Sequence, residues 1–342
     1  MRRIALTVLA LAGAPALAQS SAPAISIDTL KDVTKTLSSD AFEGRAPTTP
    51  AEAKATGYIV ERMKAAGLKP GNNGSWFQNV PLVELTAGGV TPMTFTGGKT
   101  PVSLTYRTDM VLATYRVTPK VDIQNSDVVF VGYGINAPEK GWNDYAGIDV
   151  KGKTVVVLVN DPDWETPGKN GLFEGKAMTY YGRWTYKFEE AARQGAAGLL
   201  IVHETDPASY GWATVKNSNT NTMFDIVRDQ PAAVHPQLEG WIQRDLAVDL
   251  FKRAGLDFDA LKQQAQTRGF KPVVLKGETF SADYPVDAKV ITSQNIVGRI
   301  DGSQRPDETV NYSAHWDHLG VGQPDAKGDR IYNGAVDNAT GI

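Results

Sequence analysis

Near its C-terminus the chain reads Ala314-His-Trp-Asp-His-Leu-Gly320 and then Asn333-Gly-Ala-Val-Asp-Asn-Ala-Thr-Gly341. The first phrase ends a strand predicted over Thr309 to Ala314, so His315 and Asp317, spaced i, i+2, can project to one side. The second is a glycine-flanked turn that holds Asp337 ahead of a helix start expected at Ala339. A metal-bound imidazole usually donates its other N–H to a carboxylate or keeps one nearby. A carboxylate in the turn could reach the same space and bridge two cations. His318 reads either as a pocket residue or as a loop residue. On chemistry alone, two histidines and two aspartates in this span fit a metal site and a solvated loop equally well.

Working backwards, Asn295-Ile-Val-Gly-Arg-Ile300 leads through a turn at Asp301-Gly302-Ser303 to that strand. Upstream lies Thr154-Val-Val-Val-Leu-Val159, uniformly β-branched or Leu, as a strand buried on both faces requires. Tyr186–Gln194 follows as a helix with Phe188, Ala191 and Ala192 on one face. Leu199-Leu-Ile-Val202 is a second buried strand. Strand, helix and strand make an α/β module, begun by Asp127-Val-Val-Phe-Val-Gly-Tyr-Gly134 and bounded near Tyr284-Pro285. Short alternating strands fill Trp76 to Tyr115. Helices are expected over Ile27–Leu37 and Ala51–Ala66, the second with an apolar stripe at Ala55, Tyr58, Ile59, Met63 and Ala66 that packs in the core. Gly67 is its C-cap, with Pro70 shortly after.

The 342 residues suffice for two domains or three. A net charge of −3 with interspersed signs gives no basic footprint, which argues against a nucleic-acid partner. At the N-terminus, Arg2-Arg3, apolar Ile4–Ala12 and Ala16-Leu17-Ala18 form an export signal over residues 1–18. No segment is long enough for a membrane span. Cysteine is absent, which rules out disulfides, a thiol nucleophile and a cysteine zinc site. The expected location is periplasmic or secreted.

Other motif matches fail on context. Gly132-Tyr-Gly134-Ile-Asn-Ala137 fits a dinucleotide fingerprint, but Pro138 follows and no helix begins there to meet a pyrophosphate. His203-Glu204 opens like H-E-x-x-H, yet position 207 is Pro. His203 is expected as a surface histidine at a strand end. His235, with no acidic or imidazole sequence neighbour, is expected to be structural. No G-x-S-x-G elbow and no P-loop is present.

Taken together, order and spacing, the two closing phrases resemble the metallopeptidase family of co-catalytic di-zinc aminopeptidases, which also holds glutamate carboxypeptidase, glutaminyl cyclase and the transferrin receptor ectodomain. The signal, the helix before Gly67 and Asn295-Ile-Val-Gly298 resemble its exported bacterial members. Residues 120–285 resemble the protease-associated domain inserted in some of them. The resemblance implies an α/β fold, a three-layer zinc-peptidase sandwich of which this chain holds an incomplete part, with the smaller α/β insertion. It implies residues 19–119 and 286–342 as parts of the peptidase domain. It also implies that His315 ligates one of two Zn²⁺ ions, that Asp337 bridges both, and that Asp317 orients His315 without ligating. It further implies that Asn338 and Gly334 shape the turn.

The family also needs, after Asp337, a Glu-Glu pair that supplies the general base and a ligand, a further acidic ligand and a final His. The sequence ends at Ile342 without them, and the expectation is a C-terminally truncated chain, itself inactive. The expected function of the complete protein is a zinc exopeptidase, an aminopeptidase acting on peptide substrates. Carboxypeptidase or glutaminyl-cyclase action on the same scaffold, or a metal-free receptor-like binding role, are the alternatives.

Overall fold

Thr154–Leu158 is buried along its whole length, and its side chains divide between two faces. Val156 and Leu158 join Phe130, Leu200 and Val202 in one core cluster, whereas Val155 and Val157 join Val129, Leu199 and Ile201 in another. A period of two applied to a uniformly apolar run places apolar groups on both faces. Helices are therefore needed on both.

The computed structural model describes residues 25–89, 93–97 and 100–342; the expected export signal lies outside the described residues. The main sheet has ten strands in chain order: β1 (Phe77–Ala87), β2 (Met93–Thr96), β3 (Val102–Leu104), β4 (Met110–Ala113), β5 (Lys120–Phe130), β6 (Thr154–Leu158), β7 (Gly198–His203), β8 (Met223–Ile226), β9 (Leu238–Gln243) and β10 (Val273–Ile296). Their spatial order is β8-β1-β10-β5-β6-β7-β9-β4, and β2 joins β10 to β3. The central β5, β6, β7 and β9 are parallel and the flanking pairs antiparallel. One face is covered by α6 (Arg244–Arg253) and α7 (Phe258–Ala265) through Leu250, Phe251, Phe258 and Leu261. The other is covered by α3 (Trp184–Arg193), through Phe188 and Ala191, by α4 (Thr205–Ala208), through Ala208, and by α5 (Trp212–Ser218), through Val215. The α/β class and the layered arrangement expected from sequence are thus present.

Strand β10 is 24 residues long and runs unbroken through Tyr284–Pro285. Its first part pairs with β5 and its last part, Val286–Ile296, with β1. One strand therefore joins the 120–285 unit to the segment carrying both motifs. Residues 93–113, grouped by sequence with the first peptidase part, contribute β2–β4 to the same sheet.

The N-terminal helices form as the residues dictate. In α1 (Ile27–Leu37) the Ser26 hydroxyl accepts from Thr29 N at 3.1 Å, a side-chain cap. The other, α2 (Pro50–Ala65), starts on proline and ends at Gly67, whose φ is +83°. There Gly67 N donates to Lys64 O and Leu68 N to Met63 O, the paired bonds of a Schellman cap.

One expected strand is missing. Thr309–Ala314 is not a strand, and Val310 and Tyr312 are 79% and 92% exposed. Alternation favours extended backbone, but a strand also needs a ladder partner, and no described strand pairs with these residues.

Candidate metal centre

What holds His315 in place is its neighbour. Trp316 is buried beside Leu37, Ala55, Ile59 and Ala339, and its indole N–H donates to Gln294 O at 2.9 Å. With Trp316 pinned to the core, His315 and Asp317 turn outward, as the i, i+2 spacing anticipates. Ala339, 2% exposed, anchors the second motif in the same cluster. Its N–H donates to Gly334 O at 3.2 Å, which closes the turn around Asp337.

The two motifs meet. His315 Nε2 lies 3.0 Å from Asp337 Oδ1, and His318 Nδ1 lies 3.5 Å from Asp337 Oδ2. On its other edge, His315 Nδ1 is 3.0 Å from the Asp317 main-chain oxygen and 3.4 Å from Asp317 Oδ1. The carbonyl is therefore the closer partner for Nδ1–H, with the Asp317 carboxylate beside it. A proton on Nδ1 would leave Nε2, on the Asp337 side, as the nitrogen that could ligate a metal. His315 and Asp337 side chains are 52% and 68% exposed, so a solute can reach them. A 610 Å³ cavity opens beside them, lined by Ile59, Met63, Ile296, Tyr312, His315 and Asp317 among others.

Imidazole nitrogen and carboxylate oxygen are zinc donors, and these two face one another with the imidazole held from behind. They fit a zinc ion as part of a ligand set. Among the described residues no group of three or more His, Cys, Asp or Glu side chains is arranged to hold a metal. His318 is half-buried, and burial lowers its pKa, reinforced by Arg45 and His315 and opposed by Asp337 and Asp317.

One residue in this site escaped sequence reading. Arg45, fully buried, lies between the motifs. Its Nε donates to Trp316 O at 2.8 Å, Nη1 to Asn333 O at 2.8 Å and also to Leu37 O, and Nη2 to Gly334 O at 2.9 Å. A buried arginine whose partners are main-chain carbonyls leaves no pattern of side chains to find. The only local hint is Gly44-Arg45, where Gly44 has φ +67° and a Cβ would come within 2.5 Å of Gly320 O and Tyr332 O.

Gly334 is constrained in the same way. Its φ is +61°, and a Cβ would lie 2.5 Å from Asp337 O, 2.6 Å from His318 Cγ and 2.7 Å from Arg45 Nη2. Gly334→Ala is expected to cost at least about 1–2 kcal/mol from the left-handed backbone alone and to displace Asp337. Urea denaturation alongside zinc titration checks both effects.

The remaining histidines correct the sequence reading. His203 is at the end of β7 but is buried, with Nε2 3.0 Å from Tyr210 O and its ring against Trp212 and Trp241. Residues of the following loop and of β9 cover it, so it is not a surface group. His235 is structural as expected, yet it has acidic neighbours in space: Nδ1 lies 2.8 Å from Glu239 Oε1 and Nε2 3.0 Å from Asp225 Oδ2. Gly132-Tyr-Gly134 is a tight turn after β5, with Gly134 N donating to Val131 O, as expected.

Residues 295–342, the part that contains both motifs, match the model of peptidase family M28; this is the family the motifs resemble. Among solved structures, the aminopeptidase from Aneurinibacillus sp. strain AM-1 is 18% identical with a TM-score of 0.42, covering 92% of this chain and 56% of that one. The peptidase M28 precursor from Shewanella amazonensis SB2B is 16% identical with a TM-score of 0.42, covering 92% and 61%. BSAP, a zinc aminopeptidase from Bacillus subtilis, is 15% identical with a TM-score of 0.34, covering 92% and 54%. The chain thus spans little more than half the length of these structures. No curated protein matches it.

Proposed function

We propose that this chain carries the first metal ligands of a zinc-dependent exopeptidase, acting as an aminopeptidase on peptides. The observation behind this reading is the meeting of His315 Nε2 and Asp337 Oδ1 at 3.0 Å, inside the segment matched by the M28 model. His315 and Asp337 would hold zinc, and a zinc ion there supplies Lewis-acid polarisation of the scissile carbonyl and the attacking water. Asp317 keeps the His315 proton on Nδ1 through its carbonyl, with its carboxylate as reinforcement. Asp337 directs one oxygen toward His315 and the other toward His318. Asp337 would be shared between two Zn²⁺ ions, which are part of the proposal.

The 120–285 unit is proposed as a protease-associated-like insertion that borders the site. Its Asn221, Thr222 and Phe224 line a 370 Å³ cleft with Leu319, Gly320 and Val321, directly after His318. Such a wall would border the centre on its His318 side. Export to the periplasm or beyond is also proposed, on the residues at 1–18. Among the described residues no helix is long and apolar enough to cross a membrane.

In the resembled family the general base and the remaining ligands follow Asp337. Two donors hold zinc weakly, so His315 and Asp337 by themselves are expected to bind it no tighter than about 1 µM. Any longer product of the same gene that adds those ligands is expected to hydrolyse aminoacyl-arylamides, to lose this activity to a chelator and to regain it with zinc. Hydrolysis that ignores the chelator refutes the reading.

A further inference from the structure

Arg45 belongs to neither motif, and the peptidase reading assigns it nothing. Its guanidinium is wholly buried, and burial depresses its pKa, opposed by Asp317 and Asp337. Taking a cation out of water costs several kcal/mol unless its donors are met. Four of its five N–H donors are met by carbonyls of three segments far apart in the chain: Leu37 at the end of α1, Trp316 in the first motif, and Asn333 and Gly334 in the second. Trp316 stands between His315 and Asp317. Asn333 and Gly334 open the turn that ends in Asp337. The main chain of Arg45 adds to this, since His318 N donates to Arg45 O at 3.2 Å.

We propose that Arg45 is a positioning residue, a guanidinium clamp that sets the distance between the His315 loop and the Asp337 turn and so pre-forms half of a metal centre. This rests on the peptidase reading only in identifying His315 and Asp337 as ligands. The clamp depends on the planar fork. Nε faces Trp316, Nη2 faces Gly334 and Nη1 is shared between Leu37 and Asn333; packing of Trp316 with Ala339 and the short Gly320–Val321/Ile331–Tyr332 ladder bring the motifs together, and the guanidinium ties their main chains directly beside the candidate ligands. A lysine would keep the charge, but its three donors sit at one point and cannot span the four carbonyls.

The clamp is tested first in the unaltered, metal-free chain by NMR of the Arg45 side chain. Resolved, slowly exchanging Nε–H and Nη–H signals are expected; a freely rotating guanidinium with averaged signals overturns the proposal. In Arg45→Lys, hydrogen exchange is expected to rise about tenfold or more in 315–320 and 333–341, with Thr154–Leu158 and Gly198–His203 unchanged. Equal acceleration in those strands, or none in the two loops, overturns it. Zinc affinity, from competition with a weak chromophoric chelator, is expected to fall about 10–100-fold in the same variant; unchanged affinity against a zinc-binding parent overturns it. The first two measurements contain no metal. The clamp therefore stands or falls on exchange and NMR, whereas the peptidase reading stands or falls separately on chelator-sensitive hydrolysis.

Discussion

Alanine at His315 or at Asp337 is expected to lower zinc-dependent hydrolysis more than about 100-fold, the upper end of what loss of a supporting residue around a metal costs. Fold stability should hardly move. The two side chains are 52% and 68% exposed, and their mutual contact lies at the surface, where even a charged pair is worth only about 0–1 kcal/mol. Asp317→Asn is expected to do much less, under about tenfold. His315 Nδ1 sits closer to the Asp317 carbonyl, at 3.0 Å, than to its carboxylate, at 3.4 Å, and the carbonyl survives the substitution. The contrast separates ligand from supporting group. Activity assays of the three variants in the zinc-loaded, longest available product, beside urea melts, provide the check. Hydrolysis retained by either alanine variant would exclude these residues as ligands.

The site was legible where chemistry constrains side chains at fixed spacing, and illegible where it runs through the main chain. His315, Asp317 and Asp337 announce themselves as ionisable groups in two ordered phrases, and the structure brings His315 to Asp337. Arg45 reaches Trp316 and Gly334, 271 and 289 residues away, through carbonyls that every residue possesses. Nothing in a sequence marks which carbonyls will be used. Elements set by local forces were equally readable: the Gly67 cap and the two-faced run at 154–159 follow from backbone conformation and side-chain period. The strand expected at 309–314 failed because alternation is a local signal and a ladder is not. His203 and His235 failed for a related reason. A histidine's burial and partners are set by what folds over it, and Asp225 reaches His235 from a strand that belongs to a different part of the sheet.

Replacing His235 is expected to destabilise the fold by about 3 kcal/mol near neutral pH, an effect that should fade in alkali. Burial alone would drive a proton off this imidazole, but hydrogen bonds from its two nitrogens to Asp225 and Glu239 outweigh that and raise its pKa to about 9. Asp225 responds in kind: burial would raise its pKa, but bonds from His235 and Arg228 bring it to about 2. Glu239 is buried in β9, and burial pushes its pKa up against the opposing pull of His235. Asp225 lies in the edge strand β8, so the imidazolium fastens that edge to the parallel core, with Tyr115 stacked on it at 5.1 Å and Arg116 Nε donating to its carbonyl at 2.8 Å. A histidine whose folded pKa exceeds its unfolded value of 6.5 gives its full stabilisation below pH 6.5 and loses it as pH rises through about 9. The shift between those values corresponds to about 3 kcal/mol. Urea denaturation of the parent should therefore show stability falling across that window, and the His235→Gln variant should lack the fall. Parallel pH profiles for the two proteins would mean that His235 is not the group that titrates. Because β8 follows directly on the Asn221–Thr222 wall of the cleft beside His318, the same variant is also expected to loosen that wall at neutral pH. Hydrogen exchange over residues 219–226 reads this loosening separately from global stability.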